Sequence, residues 1–242
     1  MWTTGVGHRA SDLTLRTSDL GPWTSDLGPR TSIPFPSSVL RHPSSLYAPP
    51  VIPADLLVSA YTSGWFPMAV EPGEIRWYSP DPRGIIPLDT FHAPKRLGRI
   101  IRQRRFDVRV DCDFAAVIRA CAARQDDEGS WIDEEILESY CALHAAGVAH
   151  SIETWQDGAL VGGLYGVALG GAFFGESMFH RVNDASKVAL VALIARLRER
   201  GYRLLDTQWV SEHLTQFGAV EVSRRRYLRL LHEALKIDAT FK

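Results

Sequence analysis

Two residues, Asp206 and Gln208, stand at the end of a short apolar run, R-L-L-D-T-Q, that follows Gly201. Residues two apart on a strand share a face, so a carboxylate and an amide project together from this segment. A third polar group, Glu176, lies upstream in the strand-like run G-E-S-M-F. Each has an ordinary alternative: Glu176 as a surface charge, Asp206 as a cap for the segment after it. Taken together at one end of a β-α-β unit, they read as chemical equipment rather than packing.

The elements around these residues follow from pattern. Asn183 and Asp184 are good N-cap residues, and Val188, Val191, Ile194 and Leu197 recur at helical spacing after them. Gly201 stops that helix. Residues 53–64 carry the apolar face Leu56, Leu57, Ala60 and Tyr61, closed by Gly64. A strand is expected over 84–88, a basic helix over 94–104 with Pro at its first turn, and a strand over 106–110. Asp113 and Asp133 each open a helix. Residues 150–179 read as an antiparallel meander with an Asp157-Gly158 turn. A short helix near Glu212 and a helix over 224–235 complete the series. The fold class expected is mixed α/β: one mixed sheet with helices on both faces.

Composition bounds the rest. The chain has 242 residues, 45% of them apolar, and a net charge of −1. That balance argues against a general nucleic-acid binder, but the charge is unevenly placed. Residues 95–105 hold six basic groups and no acid; residues 126–138 hold seven acids and no base; Arg224, Arg225 and Arg226 form a second basic cluster. Such a split suits a protein that meets a polyanion on one side, although solvated helix faces give the same pattern. Cys112, Cys121 and Cys141 have no zinc spacing, so reduced core thiols are expected. No apolar run approaches the ~20 residues of a membrane span, and no signal peptide is evident. A cytoplasmic protein is expected.

Residues 10–30 repeat with period seven, A-S-D-L-T-L-R, T-S-D-L-G-P-W, T-S-D-L-G-P-R. One regular apolar position per unit and two Gly-Pro steps rule out a coiled-coil seam. Residues 1–45 are therefore expected to be a disordered low-complexity tail. Residues 46–83 read as a small N-terminal lobe, too small for its own core and so packed on the larger domain of residues 84–242.

The strings G-E-S-M-F, A-S-K and D-T-Q, with G-W-F-P-M (64–68), W-Y-S-P-D-P-R (77–83), Trp131-Ile132, L-H-A-A-G-V-A-H-S-I-E (143–153), L-V-G-G-L-Y-G (160–166), His213-Leu214 and 217–219, stand in one order across about residues 52–232. In these the chain resembles the leucyl/phenylalanyl-tRNA–protein transferases. The resemblance implies an acyl-CoA N-acetyltransferase-like catalytic domain, an aminoacyl-tRNA donor carrying Leu or Phe, and acceptor proteins beginning with Arg or Lys, tagged for degradation. It implies Asp206 and Gln208 as the catalytic pair and Glu176 as the third member. Gln208 then accepts a hydrogen bond from the attacking amine, Asp206 orients it, and Glu176 with Asp206 draws the acceptor's cation. Ester aminolysis runs downhill, so no cofactor and no metal are expected, and an α-amine near pKa 7.7–8.0 needs placement more than strong base catalysis.

By the same resemblance, Leu164, Phe173, Met178, Leu190, Leu193 and Leu197 line the donor side-chain pocket. Trp131 contacts the terminal adenosine, a stacking contact of roughly 1–3 kcal/mol. Met68 stands where the family carries a second tryptophan. Arg83, Lys95, Arg96 and Arg99 are expected at tRNA phosphates, and a monomer is expected. A Gly-Gly-Asp-Leu stretch is missing from the lobe, W-Y-S-P replaces W-W-S-P, and Leu-Asp-Thr-Gln stands for Ile-Asp-Cys-Gln.

Three rival readings each make their own demand on the sequence. A transferase building peptidoglycan cross-bridges needs a pocket for a small or polar amino acid. A CoA-dependent acetyltransferase needs a glycine-rich pyrophosphate loop, which is missing. A non-catalytic tRNA-binding module does not need Asp206, Gln208 and Glu176 together.

Overall fold

Apolar strand segments, most of them in the second half of the chain, build a seven-stranded sheet that carries the fold. In the computed structural model, which describes residues 15–16, 51–71, 74–123 and 130–242, its order is β10-β4-β9-β8-β7-β6-β5. The strands are β4 (Arg83–Ile86), β5 (Asp107–Val110), β6 (Ala149–Gln156), β7 (Ala159–Leu169), β8 (Ala172–His180), β9 (Leu204–Gln208) and β10 (Val220–Val222). All neighbours are antiparallel except β8 and β9. That parallel pair requires a crossover, supplied by helix α5 (Ala185–Glu199). The class is the mixed α/β one expected from the sequence.

The remaining helices are α1 (Ala54–Thr62), α2 (Lys95–Arg102), α3 (Phe114–Ala122), α4 (Glu134–Ala145), α6 (Glu212–Thr215) and α7 (Arg224–Leu235). One face of the sheet buries Tyr165, Phe174 and Leu204 with Leu57 and Tyr61 of α1, Val117 of α3, Tyr140 of α4 and Tyr227 of α7. The other buries Leu164, Phe173 and Leu205 with Leu97 of α2, Leu193 of α5 and Leu214 of α6. A second sheet, β1-β3-β2, is formed by β1 (Leu15–Arg16), β2 (Phe66–Glu71) and β3 (Glu74–Tyr78). Ile75 and Trp77 of β3 belong to the same core as α1, α4 and Phe174. The expected tail over residues 1–45 lies outside the described residues, apart from Leu15 and Arg16, whose backbone pairs with β3.

Local chemistry fixes the caps. Asp113 accepts from Ala116 N at 3.0 Å and Asp133 from Ile136 N at 2.9 Å. Asp184 departs from expectation. It occupies the N-cap of α5 at φ 70° and makes no side-chain cap bond; its carboxylate instead pairs with Arg96 and lies 3.7 Å from Lys187 Nζ. Strands β2 and β10 were not anticipated. Cys121 is buried, but Cys112 is exposed rather than in the core.

Candidate active site

Strands β8 and β9 pair over only three residue pairs, Ala172–Leu204, Phe173–Leu205 and Phe174–Asp206. Past Phe174 they part, and the gap places Glu176 opposite Gln208. Two irregularities aim these side chains. On β8, Tyr165 pairs with Ser177 and Gly166 with Gly175, so Glu176 is the extra residue of a β-bulge. The bulge shifts the in-out alternation by one, taking Phe174 and Phe179 to one face and Phe173 and Met178 to the other. Gly166 permits it: a Cβ there would lie 2.2 Å from Phe174 O.

On β9, Gln208 has φ 58°, and Trp209 N donates to Thr207 O at 2.6 Å. This is a γ-turn centred on a glutamine in the left-handed region, a strained conformation of the kind that persists at functional sites when its surroundings over-determine it. Two contacts hold it. Gln208 N donates to Asp206 Oδ1 at 2.9 Å. Gly84, on the facing strand, lets the turn approach: a Cβ there would lie 2.6 Å from the Trp209 carbonyl carbon.

Asp206 is saturated. Its Oδ1 accepts Arg83 Nε at 2.9 Å as well as Gln208 N, and its Oδ2 accepts Arg83 Nη2 and Tyr227 Oη, each at 2.6 Å. Both members of this bidentate pair have fully buried side chains. Burial works against the Arg83 charge, but the Asp206 carboxylate and Tyr227 more than reverse it, so the guanidinium pKa is raised. Arg83 also donates to Gly64 O at 3.0 Å and lies against the faces of Phe66 and Tyr227. Expected at tRNA phosphates, Arg83 is instead enclosed as the counter-ion of Asp206. Asp206, expected to draw an acceptor's cation, has its charge already matched.

Glu176 is different. Its Oε1 accepts Gln208 Nε2 at 3.2 Å and its Oε2 accepts Tyr140 Oη at 3.3 Å. Tyr140 is hydrogen-bonded to Tyr61. Burial pushes the Glu176 carboxyl up from 4.5 to about 7, with the Asp206 charge adding to the rise and the Tyr61 hydroxyl and Arg83 opposing it. Gln208 Oε1 is buried and has no hydrogen-bond partner among the described residues. An orphaned buried amide oxygen carries a cost of about 1–3 kcal/mol that a donor from a bound molecule removes. The arrangement offers one free, well-aimed acceptor beside a carboxyl that titrates near neutrality. Tyr61, Tyr140, Tyr227 and Trp209 were missed by sequence reasoning. Tyr61 had been read as part of a helix's apolar face, and Trp209 directly follows the D-T-Q string.

Beside the site the lobe supplies aromatic surface. Trp209 is half-buried and meets Phe66 edge-on at 5.2 Å and Tyr78 at 6.3 Å. Trp131 and Met68, expected at an adenosine, lie in one region: Ala69 N donates to Trp131 O at 3.1 Å, and both side chains are half-buried against the shared core. The expected donor-pocket residues separate into two kinds. Leu164, Phe173, Leu190, Leu193 and Leu197 are fully buried in the core beneath α5. Met178 alone of the six lines a cavity of about 800 Å³, together with Arg96, Arg105, Ser186 and Lys187. Lys95, Arg96 and Arg99 are exposed on α2, whose Leu97 and Ile100 are buried.

Among the described residues one group, Asp111, His144 and His150, brings metal-capable atoms within 4.8 Å of one another. Those atoms already serve each other: His150 Nδ1 lies 2.8 Å from Asp111 Oδ2, His144 Nδ1 2.8 Å from Ala149 O, and the Lys242 ammonium 3.4 Å from Asp111 Oδ2. The group joins the start of β6 to the turn after β5 and to the C-terminal segment.

The sequence matches the family model described as leucyl/phenylalanyl-tRNA protein transferase over residues 85–232, and that of the same enzyme's N-terminal domain over residues 52–81. It is 58% identical over 191 residues to the leucyl/phenylalanyl-tRNA–protein transferase of Paramagnetospirillum magneticum, covering 78% of this chain and 91% of that one. It is 55% identical over 189 residues to the enzyme of that name from Gloeobacter violaceus, covering 78% and 96%. The family match over residues 85–232 encloses the strand pair that carries Glu176 and Gln208; the chain belongs to the leucyl/phenylalanyl-tRNA–protein transferase family.

Proposed function

We propose that the β8–β9 gap is where the α-amine of an acceptor protein beginning with Arg or Lys attacks the ester of a leucyl- or phenylalanyl-tRNA. As a member of its family the chain is an aminoacyltransferase that moves an amino acid from tRNA to protein N-termini. The observation that carries the site is the unpartnered, buried Oε1 of Gln208. In this reading Oε1 accepts an N–H of the amine and turns the nitrogen lone pair toward the ester carbonyl. A C–N bond forms, the ester C–O bond to the terminal ribose breaks, and the proton lost by nitrogen leaves with the ribose oxygen or passes to Glu176. Asp206 acts through structure: it holds the Gln208 backbone nitrogen, while Arg83 and Tyr227 hold Asp206. Glu176 is the negative group that the acceptor's cation meets.

Trp131, Met68 and Trp209 are proposed as the surface for the terminal adenosine, and Lys95, Arg96 and Arg99 of α2 for acceptor-stem phosphates. Met178 is proposed to touch the donor side chain, the five core residues behind it setting how deep that side chain goes. The chain acts as a monomer in the cytoplasm and marks its products for degradation. Among the described residues no helix is long and apolar enough to cross a membrane.

The test is transfer of labelled Leu, Phe, Met, Asp and Glu from charged tRNA to peptides beginning with Arg, Lys, Asp or Glu, with wild type and Gln208→Glu. Leu or Phe passing to Arg or Lys is expected, with Gln208→Glu strongly impaired because its carboxylate faces Glu176 and raises one of the two pKa values. Full activity in Gln208→Glu would point to a base at position 208 and sink the positioning account.

A further inference from the structure

We propose that Tyr140, backed by Tyr61, is a positioning residue that holds Glu176 in its ionised form and thereby decides which end of the Gln208 amide faces the acceptor amine. The inference rests on the reading of Gln208 given above and adds a control to it.

An amide and a carboxyl differ in what they can donate. Gln208 has two donors on Nε2 and acceptor pairs on Oε1; an ionised carboxylate only accepts. With Glu176 ionised, its Oε1 can be met only by Nε2, the pairing found at 3.2 Å. Gln208 Oε1 then points away from Glu176, buried and unpartnered. A protonated Glu176 gains an O–H, which can donate to Gln208 Oε1 once the amide turns over. The free end is then an NH2 group. It offers hydrogens to an amine whose nitrogen must be held by an acceptor, and it repels an ammonium.

The groups around Glu176 set that choice. Tyr140 Oη of α4 donates to its Oε2 at 3.3 Å and is itself bonded to Tyr61 Oη of α1. Tyr165 of β7 lies close enough for the Glu176 charge to act on its hydroxyl, Asp206 of β9 acts on Glu176 as a like charge, and Arg83 of β4 opposes both burial and Asp206. Asp206 and Arg83 largely cancel, being paired with each other. All three tyrosines have pKa values raised well above 10, chiefly by burial, so they remain donors across the working range. The Tyr140 and Tyr61 hydroxyls are thus neutral donors at Glu176 that can be removed without breaking an ion pair. Losing a donor from a carboxylate raises its pKa.

The experiment compares wild type, Tyr140→Phe and Glu176→Gln in kcat/KM for Phe transfer to an Arg-initiated peptide from pH 5.5 to 9. The peptide's amine titrates identically for all three, so differences between profiles report the enzyme. The acid limb of Tyr140→Phe is expected to move up by about one pH unit, giving roughly a tenfold loss near pH 6.5 that vanishes above pH 8.5. Glu176→Gln, which has no carboxyl, is expected to keep only the amine's titration. The 13C shift of the Glu176 carboxyl, followed by NMR, is expected to show a higher midpoint in Tyr140→Phe. Should Tyr140→Phe fold poorly, Tyr61→Phe removes the other hydroxyl that lowers the Glu176 carboxyl and is expected to move the midpoint the same way. An equal loss at every pH, or an unmoved 13C midpoint, overturns the inference. Absence of transfer by the wild type at any pH counts against the placement of the site, a separate failure.

Discussion

At the residue scale, the site divides its three polar groups by environment. Asp206 is surrounded by donors and by the buried Arg83 guanidinium; Glu176 is met by the neutral groups Gln208, Tyr140 and Tyr61. The same functional group is therefore a fixed structural anion at one position and a titrating group at the other. Asp206→Asn tests the first. Its amide would set N–H against N–H of Arg83 and leave a buried guanidinium without a counter-charge. Unfolding stability is expected to fall by about 3–5 kcal/mol in urea titrations. Unchanged stability with greatly reduced transfer would show instead that the charge of Asp206 acts in the chemistry. Glu176→Gln tests the second. The native Glu176 pKa, about 7, lies above its ordinary 4.5. Between those values the folded state binds more protons than the unfolded one, so wild-type stability should fall as pH rises from about 4.5 through 7. Glu176→Gln should lack that component and be relatively more stable than wild type at pH 8 than at pH 5, as measured by Tm at both. An identical pH dependence in the two proteins refutes the assignment.

At the element scale, a parallel strand pair that separates early and a one-residue bulge produce the gap. Neither is a matter of strand propensity. The separation follows from β9 turning at Gln208, and the bulge from the missing side chain at Gly166. Gly166→Ala should force the backbone of β8 away from β7, since its Cβ would also lie 2.5 Å from the Phe173 ring. The expected result is a loss of at least 1–3 kcal/mol of stability, together with impaired transfer as Glu176 loses its aim. Wild-type activity and Tm in that variant would show that the bulge is dispensable. Helix α5 is the rigid part of the unit: its Leu190, Leu193 and Leu197 are fully buried under the sheet. Residues packed so tightly specify position rather than adapt to a guest.

At the scale of the whole molecule, the lobe and the large sheet do not keep separate cores. Leu57, Tyr61, Phe66 and Trp77 of the lobe pack in one cluster with Tyr140, Phe174 and Tyr227. The Arg83–Gly64 bond and the Tyr61–Tyr140 bond join residues 52–81 to the rest of the chain. A single cooperative unfolding transition is expected, with tryptophan fluorescence and far-UV circular dichroism giving the same midpoint. Two separated midpoints would show that the lobe opens independently. The functional consequence is that the Glu176 environment is built from distant parts of the chain, Tyr61 coming from α1 and Tyr140 from α4.

The sequence by itself determined most of the element series, strands β2 and β10 apart, and pointed to Asp206, Gln208 and Glu176 as the candidate trio. Helical spacing in 54–62 and 185–199, caps at Asp113 and Asp133, and the Asp157-Gly158 turn are local properties, written in neighbouring residues. So is the D-T-Q string, and the resemblance it carries led to the family. Tertiary structure decided the rest, because it depends on residues far apart in the chain. Arg83 reads locally as a surface cation and becomes the buried partner of a residue 123 positions away. Tyr61 reads as helix face and becomes part of a hydrogen-bond chain to Glu176. Leu164, Phe173, Leu190, Leu193 and Leu197 read as candidate pocket and close into core. Which polar group is neutralised, and which is left to titrate, is set by what the fold brings against it, and only the assembled sheet and lobe make that choice.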